Sequence, residues 1–198
     1  MEENVFERMA EKYDSPDRIA LANIVANRVK EELRDAEDKT LIDYGSGTGL
    51  VGLQLAELVK SVTLIDSSEN MVKIIREKIA NHPITNAETL VADFTTGTLD
   101  LKADIIVVSL VLLHIPDTKA ILKSLYETLN KGGRLIIIDF EKNPNVSHPK
   151  VHNGFDFEAL TGLLTDTGFE STDIQVFHHG KQVFMKQDAS LFIAVSEK

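Results

Sequence analysis

Hydrophobic positions along this chain follow two alternating rhythms. Short apolar runs are separated by longer stretches in which apolar residues return every third or fourth position, the signature of strands exchanging with amphipathic helices. The spacing predicts a helix over Pro16–Ala36, with Ser15 as N-cap and Pro16 in the first turn, closed by the mixed-charge run Glu31–Lys39. From there it predicts strand Thr40–Tyr44, helix Leu50–Lys60, strand Val62–Ile65, helix Ser68–Asn81 and strand Ala87–Ala92. Strand Ala103–Leu110 contains the unbroken Ile105-Ile106-Val107-Val108, as a strand covered on both faces requires. A helix from beyond Pro116 to Asn130, a turn at Lys131-Gly132-Gly133 and strand Arg134–Phe140 follow.

The C-terminal third changes character. Asn143–Asn153 is polar, carries Pro144 and Pro149, and reads as a loop; Asp156–Thr167 reads as a helix stopped by Gly168. Glu170–His178 and Ala189–Val195 read as strands of an antiparallel hairpin with Gly180 at its turn. The expected fold is therefore α/β, a doubly wound, mostly parallel sheet finished by a C-terminal antiparallel hairpin.

Composition narrows the picture further. A chain of 198 residues, 43% hydrophobic and 26% charged, is expected to form a single domain with a core of its own. No cysteine is present, which removes disulfides, thiolate metal sites and cysteine nucleophiles, and suits a reducing, cytoplasmic setting. The longest apolar stretch, Ile105–Leu113, is too short to span a bilayer, and Met1-Glu2-Glu3-Asn4 lacks the start of a secretory signal. A net charge of −10 opposes binding to nucleic acid, whose phosphates need a basic surface. No membrane or nucleic-acid partner is expected, and the oligomeric state is not legible.

The strongest motif is Asp43-Tyr44-Gly45-Ser46-Gly47-Thr48-Gly49, placed directly between the first strand and its predicted helix. Glycines there let the backbone turn tightly against a ligand. A dinucleotide fingerprint would want glycine at Leu50, which leaves a pyrophosphate loop as the second choice, and a Walker loop fails because no Lys follows Gly49. Asp66 ends the second strand, 21 residues after Gly45, where an acid can accept both hydroxyls of a ribose. The competing reading is that Asp66 caps the helix beginning at Ser68.

This pairing, with "LVADF" after the third strand, "ADIIVVSLVLLHIPD" for the fourth and "LNKGGRLIIIDF" for the fifth, resembles the class I S-adenosylmethionine-dependent methyltransferases over about residues 5 to 195. The resemblance implies a seven-stranded Rossmann-like sheet and S-adenosylmethionine as cofactor. It also implies roles: Gly45, Ser46, Gly47 and Gly49 against the methionine part with Asp43 behind them near the ammonium, and Asp66 with Ser67 at the ribose. Asp93 would meet the adenine amino group, Phe94 or Met71 the adenine face, and Ser109 the sulfonium region. Residues 1–38 would form a helical lid or cap, in which Phe6, Met9 and Tyr13 share helical spacing and Tyr13 lies near the sulfonium. Met71 and Phe94 also suit plain core.

Methyl transfer from a sulfonium asks the protein mainly for alignment and dryness, so a base is needed only when the acceptor must lose a proton. His114, following the fourth strand, is the candidate base, with a backbone-bonded structural histidine as the alternative. The segment 141–155 resembles the substrate-side segment of these enzymes and supplies His148, His152 and Phe155 as candidate acceptor contacts. The His148-x-x-x-His152 spacing invites a metal reading, but Pro149 opposes the helix that would align the rings, and no metal is expected. His178 and His179 are adjacent in a strand and point to opposite faces. The acceptor is expected to be a small molecule. A non-catalytic S-adenosylmethionine-binding protein or partner subunit, and a nicotinamide-dependent reductase opposed by Leu50 and the absence of a Tyr-x-x-x-Lys pair at Tyr126–Asn130, are the alternatives.

Overall fold

The computed structural model describes residues 5–96, 100–148 and 151–198, so Met1–Asn4 and Pro149, on which two expectations rested, lie outside the described residues. Strands β1 (Thr40–Tyr44), β2 (Ser61–Asp66), β3 (Ala87–Val91), β4 (Ala103–Ser109), β5 (Leu129–Phe140), β6 (Ser171–Phe184) and β7 (Gln187–Glu197) form a seven-stranded sheet in the order β3-β2-β1-β4-β5-β7-β6. Pairings β1–β2, β2–β3 and β4–β5 are parallel; β5–β7 and β6–β7 are antiparallel. The chain divides into two compact units, Met1–Asp93 and Phe94–Lys198.

In the first unit, helices α1 (Val5–Met9), α2 (Pro16–Glu31) and α3 (Glu69–Ala80) accompany β1 to β3. The Ser15 side chain accepts the Arg18 N–H to cap α2, and Ser68 accepts the Met71 N–H at 3.1 Å to cap α3. Helix α2 stops at Glu31, short of Ala36, and its end tightens into i→i+3 bonds such as Leu33 N–H to the Lys30 carbonyl. Two short 3₁₀ turns, Gly52–Gln54 and Ala56–Leu58, stand where a helix over Leu50–Lys60 was predicted. Glycines at 49 and 52 weaken helix formation there, and Gly52 is pinned beneath the segment: a Cβ on it would lie 2.3 Å from Asp43 Oδ2.

In the second unit, Ile105–Val108 is buried on both faces as predicted. Helix α4 (Thr118–Thr128) is capped by Asp117, and α5 (Phe157–Thr167) by Asp156, with Gly168 at φ +119° ending it. The predicted turn at 131–133 is instead an irregularity inside β5, where the register moves from Ala103↔Leu129 to Ile105↔Arg134 and Gly133 approaches the Asp104 carbonyl too closely for a Cβ. The hairpin reverses at Met185-Lys186, both with positive φ (50° and 61°), rather than at Gly180. Gly180 marks a register shift in β6, where a Cβ would meet Val183 at 2.6 Å. His178 and His179 occupy consecutive rungs, and His179 bonds the Ser190 hydroxyl.

Candidate active site

At the C-terminal end of β1 the chain enters a loop that only glycine makes comfortable. Gly45, Gly47 and Gly49 adopt φ of 71°, 55° and 79°. The loop is stitched to β2 because the N–H groups of Gly45 and Ser46 and the Ser46 hydroxyl all donate to the Ile65 carbonyl. Beneath it, Asp43 is 1% exposed, and neither carboxylate oxygen has a hydrogen-bond partner among the described residues. Burial pushes its carboxyl up to about 7; the Gly52 N–H eases the charge without an aligned hydrogen bond, and the Asp66 charge adds to the rise.

Asp66, at the end of β2, accepts from the Gly47 N–H at 2.8 Å and the Ser68 N–H at 2.9 Å. It thus joins the glycine loop to the start of α3, while Ser68, not Asp66, supplies the side-chain cap. Burial raises the Asp66 carboxyl above the usual range, the Ser68 and Gly47 N–H groups oppose this, and Glu7 adds a small upward push. Asp93 accepts from the Tyr44 hydroxyl at 3.3 Å. Met71 is buried in the core and Ser67 is exposed.

The N-terminal segment lies on this loop. The Tyr13 ring comes within 3.5 Å of where a Cβ on Gly47 would stand, and the Arg18 guanidinium sits 4.3 Å from the Tyr13 ring centre. Burial raises the Tyr13 hydroxyl above its ordinary pKa, with Arg18 opposing. Two sets of contacts fasten the segment. Glu7 accepts from the Ser68 hydroxyl and the Asn70 N–H. Asp14 accepts from the Thr48 hydroxyl and pairs with Lys78 at 2.7 Å, while Lys78 also donates to the Thr48 carbonyl. Glu7, Asp14 and Lys78 were not singled out from sequence, because their partners lie 30 or more residues away. The side chain of Phe6 lies outside the description.

In the second unit, β4 ends at Ser109, and Leu110 takes φ +57°, a conformation rare for a bulky side chain. A 3₁₀ turn, Leu112–His114, follows. His114 shows an exposed edge, yet the protein crowding the rest of its ring lowers its pKa, and His148 lowers it further. His148 is exposed. His152 is committed to the backbone: its Nε2–H donates to the Ile115 carbonyl at 2.9 Å, and its N–H donates to the Leu113 carbonyl at 2.8 Å. Phe155 is buried, 5.9 Å from His152 and 6.3 Å from Phe192 between ring centres. Phe94, which opens this unit, is also buried. Among the described residues no group of three or more His, Asp or Glu is placed to hold a metal ion. No helix there is long and apolar enough to cross a membrane.

The profile of the methyltransferase domain family matches residues 35–183. This chain belongs to the class I S-adenosylmethionine-dependent methyltransferases. The methyltransferase is 28% identical to the ubiquinone/menaquinone biosynthesis C-methyltransferase UbiE of Klebsiella pneumoniae, over 68% of each chain. It is 31% identical to the same enzyme of Escherichia coli over 62% of its own length, and spans about half, 51%, of that relative. In fold it is similar to a methyltransferase structure from Bacillus halodurans (TM-score 0.75, 17% identity, covering 87% of this chain and 98% of that one). A second likeness is an S-adenosylmethionine-dependent methyltransferase from Aquifex aeolicus (TM-score 0.71, 22% identity, 96% and 97%). The methyltransferase therefore uses S-adenosylmethionine. The first unit fits such a ligand on its own evidence, since an unpartnered buried carboxylate under a three-glycine turn suits a ligand that carries positive charge.

Proposed function

We propose that this methyltransferase acts in the cytoplasm on a small-molecule acceptor, methylating an electron-rich carbon or oxygen of a ring that carries an acidic hydroxyl. The observation that carries the reading is His114, a half-sheltered imidazole at the C-terminal end of β4 whose pKa lies below the ordinary 6.5 and which is therefore an uncharged base at neutral pH. The UbiE relatives are C-methyltransferases of ubiquinone/menaquinone biosynthesis, which supports a ring acceptor.

When bound, S-adenosylmethionine supplies a methyl group on a sulfonium, poised for in-line displacement. The chain's residues do the rest. Asp66 holds the ribose hydroxyls with Ser67 beside it, Gly45 to Gly49 let the backbone approach, and Asp43 offsets the ligand's positive charge from behind the loop. Asp93, Phe94 and Met71 are assigned to the adenine, and Ser109 to the sulfonium region. The N-terminal segment is the lid, with Tyr13 excluding water. On the acceptor side His114 takes the acceptor's proton on a ring nitrogen, and His148 and Phe155 contact the acceptor, while His152 holds the turn that carries His114.

The test is kcat/KM against pH with a panel of hydroxylated aromatic and quinol acceptors. The wild-type profile rises through a midpoint below 6.5, and His114→Gln removes that limb with a loss on the order of 100-fold. An unchanged profile in the variant removes His114 as base, and no turnover with any member of the panel removes the ring acceptor.

A further inference from the structure

The turn that carries His114 is held by a buried acid that the reaction itself does not require. Asp139 sits near the end of β5, fully buried, in register with Phe192 of β7 on one side and next to the Ile138↔Ser109 pair on the other. Its neighbours along the strand, Leu135 to Ile138, are apolar and equally buried, so an apolar residue would complete the core at less cost in desolvation. The carboxylate has two partners, both backbone donors: the Phe140 N–H at 2.8 Å and the Leu113 N–H at 3.2 Å. Leu113 is the middle residue of the Leu112–His114 turn, and its carbonyl accepts from the His152 N–H. The residue before His114 is therefore gripped on both of its backbone groups, by β5 through Asp139 and by the 141–155 segment through His152. Leu110 is fixed as well, its N–H donating to the Ile138 carbonyl while its φ is +57°. Such a conformation persists only where the surroundings enforce it.

We propose that Asp139 is the positioning residue of the acceptor side: its carboxylate locks Leu113 and thereby sets the seat of the His114 imidazole. This deepens the assignment of His114 and rests on it for its functional meaning. An ionised carboxylate is an acceptor at both oxygens and satisfies both N–H groups, whereas an amide of the same shape turns an NH₂ toward one of them. Burial has pushed the Asp139 carboxyl up to about 7, with the Phe140 and Leu113 N–H groups opposing the rise. The titratable side chain that acts on His114 is His148, while His152 is tied to the Ile115 carbonyl.

The experiment is an NMR titration of the six imidazoles in the full chain, wild type and Asp139→Asn, together with hydrogen exchange at the Leu113 amide. In the folded variant the His114 midpoint moves up toward the ordinary histidine value. Leu113 then exchanges about tenfold faster or more, while the ring signals of His82, just beyond α3 and bonded to the Lys78 carbonyl, and of His179, bonded to Ser190, keep their wild-type positions. A folded variant in which His114 titrates unchanged overturns the proposal. Should Asp139→Asn fail to fold, the wild type decides: the Leu113 and Phe140 amide shifts follow one midpoint near 7, and the His114 ring shows a second inflection there. A titration of Asp139 that moves the Phe140 amide but leaves the Leu113 amide and the His114 ring unmoved overturns the proposal. Because the readout is made on the free protein, loss of the base role in the kinetic test leaves this result standing, and the reverse.

Discussion

Asp43 is the residue on which the proposed cofactor half of the site turns. A carboxyl carried from 3.8 to about 7 binds its proton up to about 4 kcal/mol more tightly folded than unfolded. Between those two values the native state holds more protons than the unfolded chain, so Asp43's contribution to stability falls as pH rises from about 4 to about 7 and stays low above. Asp43→Asn removes that loss. Its melting temperature should match wild type below about pH 4, draw ahead as pH rises to about 7 and exceed it by several degrees at pH 8, while its affinity for S-adenosylmethionine drops; a melting difference that is flat with pH would contradict the assignment. Gly45 to Gly49, Asp66 and the strand ends were legible because glycine freedom and an acid at a strand end are local signals. The unpartnered state of Asp43 was not, since it depends on Gly52 being packed over the carboxylate.

At the scale of elements, the N-terminal segment carries carboxylates that fasten it to residues far away in sequence. Glu7 reaches Ser68 and Asn70, and Asp14 reaches Thr48 and Lys78, so the segment is tied to the glycine loop and to α3 with its N-cap. Deleting residues 1 to 14 should leave β1 to β3 folded and weaken S-adenosylhomocysteine binding by about tenfold or more, measured calorimetrically; unchanged affinity would remove the lid. The sequence showed helical spacing at Met9 and Tyr13 but not these ties, which join residues far apart in the chain. The strand Thr40–Tyr44 was read with its bounds, whereas the helix expected over Leu50–Lys60 is absent. Ile105–Val108 and α3 follow from local pattern, whereas the 3₁₀ turns at 52–58 reflect tertiary packing against β1. The Met185-Lys186 reversal breaks the usual turn chemistry, because neither residue is Gly, Asn or Asp.

Across the whole molecule, the order of elements was legible and the acceptor was not. Alternating strand and helix patterns lead to a parallel sheet with one terminal hairpin, and the family match over residues 35–183 accords with it. The residues proposed for the acceptor side, His114, His148 and Phe155, stand on irregular segments, and the bond from the Leu113 N–H to the buried Asp139 beside His114 joins residues 26 apart in the chain, which local pattern does not reveal. The central claim is that the glycine loop and Asp66 hold S-adenosylmethionine. Its most direct test is calorimetric titration of wild type and Asp66→Ala with S-adenosylmethionine and S-adenosylhomocysteine, with NADH as comparison and circular dichroism to establish folding. Micromolar binding of both adenosyl ligands, weakened by about 10- to 100-fold in Asp66→Ala and absent for NADH, is the predicted result. Folded, ligand-free protein that binds neither adenosyl ligand would contradict it.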